Sequence, residues 1–171
     1  RTDDNPVVAG GQVLTSGGSL PLDVTVFLQT AQLGLAHIAR NSFNRCVLLG
    51  NGQRRGLPVN LVQPGAIATG FGPIIKLAGE LFARVLTMTN PVSLTSIVVA
   101  GGIEDEATFL PLVVERLERQ VLALRRLAAL EAMLSAQAMD ISGDQPGNVP
   151  GIIYALTRQH AATYWQDRPL S

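Results

Sequence analysis

The side chains best suited to acid–base chemistry are three consecutive acids, Glu104, Asp105 and Glu106, which follow the apolar stretch Ile97–Ile103. A carboxylate held against apolar surroundings is desolvated, its pKa rises, and it then exchanges protons near neutral pH. The same three acids would equally favour the N-terminal end of a following helix through its dipole. Both readings stand on the residues alone. The tripeptide Thr15-Ser16-Gly17 has the composition to cyclise, but as part of a Gly-rich stretch it reads as a flexible loop. His37 lies among Leu35, Ala36, Ile38 and Ala39, the pattern of an ordinary helix residue, and His160 has no carboxylate three or four residues away. No positioned nucleophile and orienting partner accompanies either histidine, so a hydrolase triad is unsupported. Arg54-Arg55 could meet an anionic group but reads first as a solvated loop.

The totals narrow the class. Thirteen basic and thirteen acidic residues cancel, leaving no electrostatic footprint for nucleic acid or an anionic membrane. Hydrophobic residues make up 47% and charged ones 15%, below the quarter typical of soluble domains, so apolar surface is expected to be covered by other chains. Cys46 is the only cysteine, which excludes an internal disulfide, and no Cys/His cluster has metal-ligand spacing. Neither a membrane-length apolar run nor a signal peptide is visible, and a cytoplasmic protein is expected. The chain opens on Arg1 without a Met, which leads one to expect upstream sequence or a second piece of a larger assembly.

The elements that must position these residues read as helices. Residues 1–20, rich in Gly, Asp and Ser, read as a loop. Helical spacing of Val24, Phe27, Leu28, Ala31, Leu35, Ile38 and Ala39 predicts a helix over 21–49, closed by Gly50-Asn51-Gly52. A second helix is predicted over 70–89 and ends at Asn90-Pro91. The β-branched run Val92–Ile103 has no partner strand in view and reads as buried loop or short helix. A third helix over 106–141 carries Leu110, Val114, Leu117, Val121, Leu124 and Ala128, with Glu115 and Arg119 paired on the far face. At 1.5 Å per residue it would be roughly 50 Å long, which suits a large bundle. A last helix is predicted over 149–165. The fold class is all-α, a single segment built as a long-helix bundle.

Seven short motifs, in register over nearly the whole chain, resemble one enzyme family. Thr2-Asp3-Asp4-Asn5-Pro6-Val7 is similar to a Thr/Ser-x-Asp-Asn-Pro-Leu segment, and Ser16-Gly17-Gly18-Ser19-Leu20 stands where a Gly-Asn-Phe loop precedes a long helix. Gly56-Leu57-Pro58-Val59-Asn60-Leu61, Thr69-Gly70-Phe71 and Pro91–Ser96 followed by Ile103-Glu104-Asp105 come next in order. Ala136-Gln137-Ala138-Met139-Asp140 and Asp167-Arg168-Pro169-Leu170-Ser171 complete the set. The chain thus resembles the C-terminal part of the aromatic amino-acid ammonia-lyases and aminomutases, enzymes that use a methylidene-imidazolone (MIO) electrophile.

The resemblance implies a subunit of an ammonia-lyase or aminomutase-like enzyme acting on an amino acid or a derivative. The electrophile forms from an Ala-Ser-Gly tripeptide in the family's N-terminal half, so no cofactor is expected on this chain and MIO is expected on a partner. The implied partners are an N-terminal-half lyase-like chain and further copies, in a hetero-tetramer or larger assembly, with a small-molecule substrate and neither nucleic acid nor membrane. Glu104 matches a pocket carboxylate of the histidine-type lyases and is the implied catalytic residue. Ser19, Leu20 and Ile103 are the implied substrate-binding positions, standing where the family has Asn, Phe and Gln. Three polar or aromatic groups are thereby exchanged for small or aliphatic ones. Two other readings remain open: a divergent dehydratase, isomerase or cyclase on the same fold, and an inert scaffold subunit.

Overall fold

The computed structural model describes residues 6–14, 20–52, 56–95 and 107–168. Among these, four α-helices dominate: α1 Leu22–Gly50, α2 Gly72–Thr87, α3 Leu110–Ser142 and α4 Asn148–His160. The fold is all-α apart from one hairpin, in which β1 (Val7–Ala9) pairs antiparallel with β2 (Gln12–Leu14). That hairpin interrupts the stretch read from sequence as loop. Gly10 and Gly11, seen there as breakers, form its two-residue turn, both at positive φ (59° and 73°).

Helices α1 and α3 run parallel and pack directly on each other, with α2 antiparallel against both. Near one end Gln120 of α3 reaches Gln32 of α1, and further along Ser42 and Arg45 of α1 meet Glu131 of α3. Across from α1, Phe43 stacks on Phe82 of α2 with ring centroids 5.3 Å apart. The α1–α2 crossing is close at Gly50, where an added Cβ would stand 2.0 Å from Ile75 Cδ1.

Which stripe faces inward differs from the pattern the sequence suggested. On α3 the buried positions Val113, Gln120, Leu127 and Leu134 recur seven apart, while Val114 and Val121 of the expected stripe are over a third exposed. On α1 the buried residues are mostly small or polar, among them Gln32, Ala36, Ala39, Ser42 and Cys46. Phe27 and Ile38, placed in the core by periodicity, are 75% and 55% exposed. Both helices are apolar on more than one face, and the described residues cover one of them. Small side chains line the covered face because they let two long helices approach closely.

A buried amide sets the register of the three long helices. Gln120 Nε2 donates to the carbonyls of Gln32 (2.9 Å) and Val85 (3.2 Å), tying α3 to α1 and α2 together. An unmet polar group at such a depth would cost about 1–3 kcal/mol, so this contact favours one alignment over its neighbours. Burial also pushes the Cys46 thiol up to about 11, as expected of a packed, inert cysteine.

Two helix ends lie elsewhere than the sequence placed them. Helix α3 begins at Leu110, not 106, because Pro111 fits only the first turn: it lacks an N–H and clashes with the carbonyl four residues back. Helix α4 ends at His160, not 165. Beyond it Ala161 is extended (φ −135°, ψ 101°), and the chain returns along α3 as an irregular strap over residues 161–168. No helix among the described residues is long and apolar enough to cross a membrane.

Candidate functional site

Of the four positions implied by the motifs, only Leu20 falls among the described residues; Ser19, Ile103 and Glu104 lie outside them. Leu20 is half-buried just ahead of α1, and its carbonyl accepts the Leu22 N–H at 2.9 Å. The Thr25 hydroxyl donates to Pro21 O at 3.0 Å and fixes this entry.

The described residues on either side of the Glu104 segment are held at one end of the bundle. On the near side, Gln29 of α1 accepts the Val92 N–H (3.0 Å) and donates to Ser93 Oγ (3.0 Å), so the 310 turn Ser93–Thr95 is fixed to α1. On the far side Thr108 is buried, and Phe109 takes a left-handed conformation (φ 51°) as α3 begins. Arg116 then bonds Thr87 O (2.7 Å) and Asn90 O (3.2 Å), locking the end of α2 to α3. The first turns of α1 and α3 therefore lie together where α2 stops. Each helix start carries partial positive charge from unpaired N–H groups, so an anion at this end is favoured. That is the electrostatic setting a pocket carboxylate or an acidic substrate group would meet. The sequence singled out neither Gln29 nor Arg116 as functional; a polar side chain on a helix face gives no sign that it is holding a distant loop.

A second constellation was legible as motifs but not as contacts. Gln137 grips the strap with both ends of its amide: Nε2 donates to Tyr164 O (2.8 Å) and Oε1 accepts the Tyr164 N–H (2.9 Å). One turn on, Asp140 accepts hydrogen bonds from Tyr154 (2.5 Å) and Thr163 (2.6 Å). Arg158 NH2 lies 2.8 Å from the same carboxylate as a charge pair, without hydrogen-bond alignment. The Asp140 carboxylate raises the Tyr154 phenol above its ordinary pKa, since ionising it would break the bond and oppose two negative charges. At the far end of the strap, Asp167 accepts the backbone N–H groups of Thr69 (2.7 Å) and Gly70 (3.2 Å) and the Tyr164 hydroxyl (3.0 Å). Those donors, the Thr69 N–H foremost, hold its carboxyl below the usual carboxylate range. Three motifs, Thr69-Gly70-Phe71, Ala136–Asp140 and Asp167-Arg168, thus form one clasp joining α2, α3 and the strap. This clasp is structural.

The remaining candidates stay apart. His37 and His160 are both exposed and share no contact. No group of three or more His, Cys, Asp or Glu among the described residues could hold a metal ion. The chain contains no Ala-Ser-Gly tripeptide, so its own sequence does not fit formation of the MIO electrophile as the family makes it.

An all-α bundle of parallel long helices, with a loop framed at one end and a clasp at the other, defines the class, and comparison with known proteins gives the family. The profile of the aromatic amino acid lyase family matches residues 1–159, and the chain belongs to that family. It is similar to histidine ammonia-lyase from Treponema denticola, 30% identical over 174 residues that cover 98% of this chain and 34% of the relative. Histidine ammonia-lyase from Symbiobacterium thermophilum is 30% identical, over 99% of this chain and 32% of its own. Among solved structures, the ergothioneine-degrading ergothionase of Treponema denticola superposes with a TM-score of 0.88 at 27% identity, covering 99% of this chain and 35% of that one. Histidine ammonia-lyase from Trypanosoma cruzi (TM-score 0.86, 22% identity, 98% and 34% coverage) shares the fold. The chain spans about a third of the length of these relatives.

Proposed function

We propose that this chain is the helical C-terminal part of an ammonia-lyase or aminomutase-type enzyme acting on an amino acid or a derivative of one. In this reading it works in the cytoplasm, with an N-terminal-half chain that bears the MIO electrophile and with further copies, as a hetero-tetramer or larger. The observation that carries the reading is the family match over residues 1–159. The large side chains left uncovered on α1, Phe27 and Ile38 among them, fit a subunit that completes its packing against others. The relatives named for histidine and ergothioneine favour a substrate of that size and polarity.

Within such an assembly the chain's own residues would orient and exchange protons. Glu104 holds or releases the proton that leaves or joins the substrate. Gln29 and Arg116 position the loop carrying it, and Leu20 and Ile103 exclude water from an aliphatic wall. MIO, where the partner supplies it, provides the electrophile. Reconstitution with the partner chain and measurement of ammonia release or isomer formation tests the reading, with Glu104→Gln as the decisive variant. General acid–base catalysis is worth about 10²–10⁴-fold, so turnover should fall at least about a hundredfold. Unchanged turnover would leave a scaffold role as the better description.

A second reading draws on the exchange of family Gln, Phe and Asn for Ile103, Leu20 and Ser19. It is a divergent non-lyase enzyme, a dehydratase, isomerase or cyclase, that needs no electrophile. A partner lacking the tripeptide, and activity that survives a small carbon or nitrogen nucleophile, would favour it.

A further inference from the structure

We infer that the groove between the second half of α3 and the end of α4 is a binding site for a small apolar carboxylate, with Arg168 as its anion contact. The groove encloses about 430 Å³ and is walled by Ala129, Ala132, Met133 and Leu156, with His160 and Arg168 among its polar lining residues. That volume falls in the range of small-molecule sites, and carbon walls with few polar groups are their usual composition. Alanines on α3 make the floor low enough for a flat ring or a short alkyl chain.

The charge identifies the ligand class. Arg168 is held in place without being neutralised: its backbone N–H donates to the Tyr164 hydroxyl (3.1 Å) and NH2 to Ala162 O (3.1 Å). Its guanidinium also lies 6.0 Å from the Tyr164 ring centroid. Arg45, Arg84, Arg119 and Arg158 each meet a carboxylate, whereas Arg168 meets none among the described residues. A guanidinium presents five donors, and its one described hydrogen bond, to Ala162 O, leaves the others for a carboxylate on a ligand whose body fills the groove. Part of the ordering cost is already met by the strap, because Asp167 next door is bonded to Thr69 and Gly70. A neutral apolar ligand would use the walls but forgo the charge, and a cation would meet the wrong sign. The inference uses only the described residues and does not depend on the proposed function.

The test is amide NMR of the isotope-labelled chain titrated with 3-phenylpropanoate and, in parallel, with the neutral 3-phenylpropanamide. Saturable shifts confined to residues 129–133, 156–162 and 168 are expected, with dissociation constants of about millimolar for so few heavy atoms. The acid should bind at least about threefold tighter than the amide, the gain an exposed charged contact gives. Arg168→Gln should level the two ligands. Ala129→Leu, a substitution at an exposed helix position, should weaken both by filling the groove. Absence of saturation, equal binding of acid and amide to the unmodified chain, or shifts centred elsewhere would overturn the inference. So would the same residues shifting with protein concentration alone, because the groove would then belong to a second copy. The acid–amide comparison needs no variant to fold.

Discussion

Replacing Gln137 by Leu should release the strap while leaving the long helices intact. Gln137 is fully buried, and its amide makes two hydrogen bonds to the backbone of Tyr164, at 2.8 and 2.9 Å. Leucine has similar volume, so the packing of α3 is kept and no sizeable cavity opens. Each bond contributes about 1 kcal/mol net, which gives about 2 kcal/mol for the pair. At about 1.4 kcal/mol per decade, opening of the strap becomes roughly thirtyfold more frequent. Trp165, the only tryptophan, lies in the strap one residue from the lost bonds and is 43% exposed, so it reports locally. Emission should shift to the red and quenching by acrylamide should rise, while far-UV circular dichroism keeps its helical amplitude. Amide exchange at Tyr164 should quicken by the same roughly thirtyfold factor. Gln137→Glu keeps the acceptor but loses the donor and buries a charge, and should be worse than leucine. If Trp165 and the Tyr164 amide respond to neither variant, the strap is held by something other than this amide and the clasp is wrongly described.

Acid should loosen the same strap from its other end. The Asp167 carboxyl is held below its ordinary value of 3.8, so its contribution is present above that value and is lost as pH falls further, through the folded pKa. Trp165 emission should follow this transition, and Asp167→Asn should abolish it. Cys46 should resist a thiol reagent in the folded chain and react in urea. With its pKa at about 11, roughly one thiol in a thousand is ionised at pH 8; any stability this burial carries is present below the ordinary value of 9.0 and lost as pH rises through 11. Gly50→Ala should destabilise by about 1–3 kcal/mol in urea unfolding, since the new methyl meets Ile75 Cδ1, and Ile75→Val should recover part of the loss.

The sequence announced the helices because periodicity and breakers are local. Pro21, Gly50-Asn51-Gly52 and Asn90-Pro91 punctuate the chain whatever surrounds them. The inward stripe was not legible in the same way. On α3 the set 113, 120, 127, 134 and the set 114, 121, 128 are both apolar enough to qualify, and only the positions of α1 and α2 choose between them. Buried Gln120 would have been assigned to solvent by any polarity rule, yet it joins three helices. The end of α4 was missed for a related reason: no Gly or Pro stops it, and the competing partners Gln137 and Asp140 lie over twenty residues earlier. At the candidate site, motifs named Glu104, Ile103, Ser19 and Leu20, whereas Gln29 and Arg116 became visible only through what they hold in place.

The two hydrogen bonds that Gln120 donates also bear on the order in which the chain assembles. Its contact with Val85 spans 35 residues, and its contact with Gln32 spans 88. Closing the longer loop costs about 0.8 kcal/mol more by chain entropy alone, so the pairing of α1 with α3 tends to close after that of α2 with α3. The hold of Gln29 on Ser93 spans 64 residues and closes later than the α2–α3 contact for the same reason. The last pairing to close is thus the one that brings Gln29 and Arg116 to the same end of the bundle, and a chain stalled before it would hold the two sides of the Glu104 segment apart.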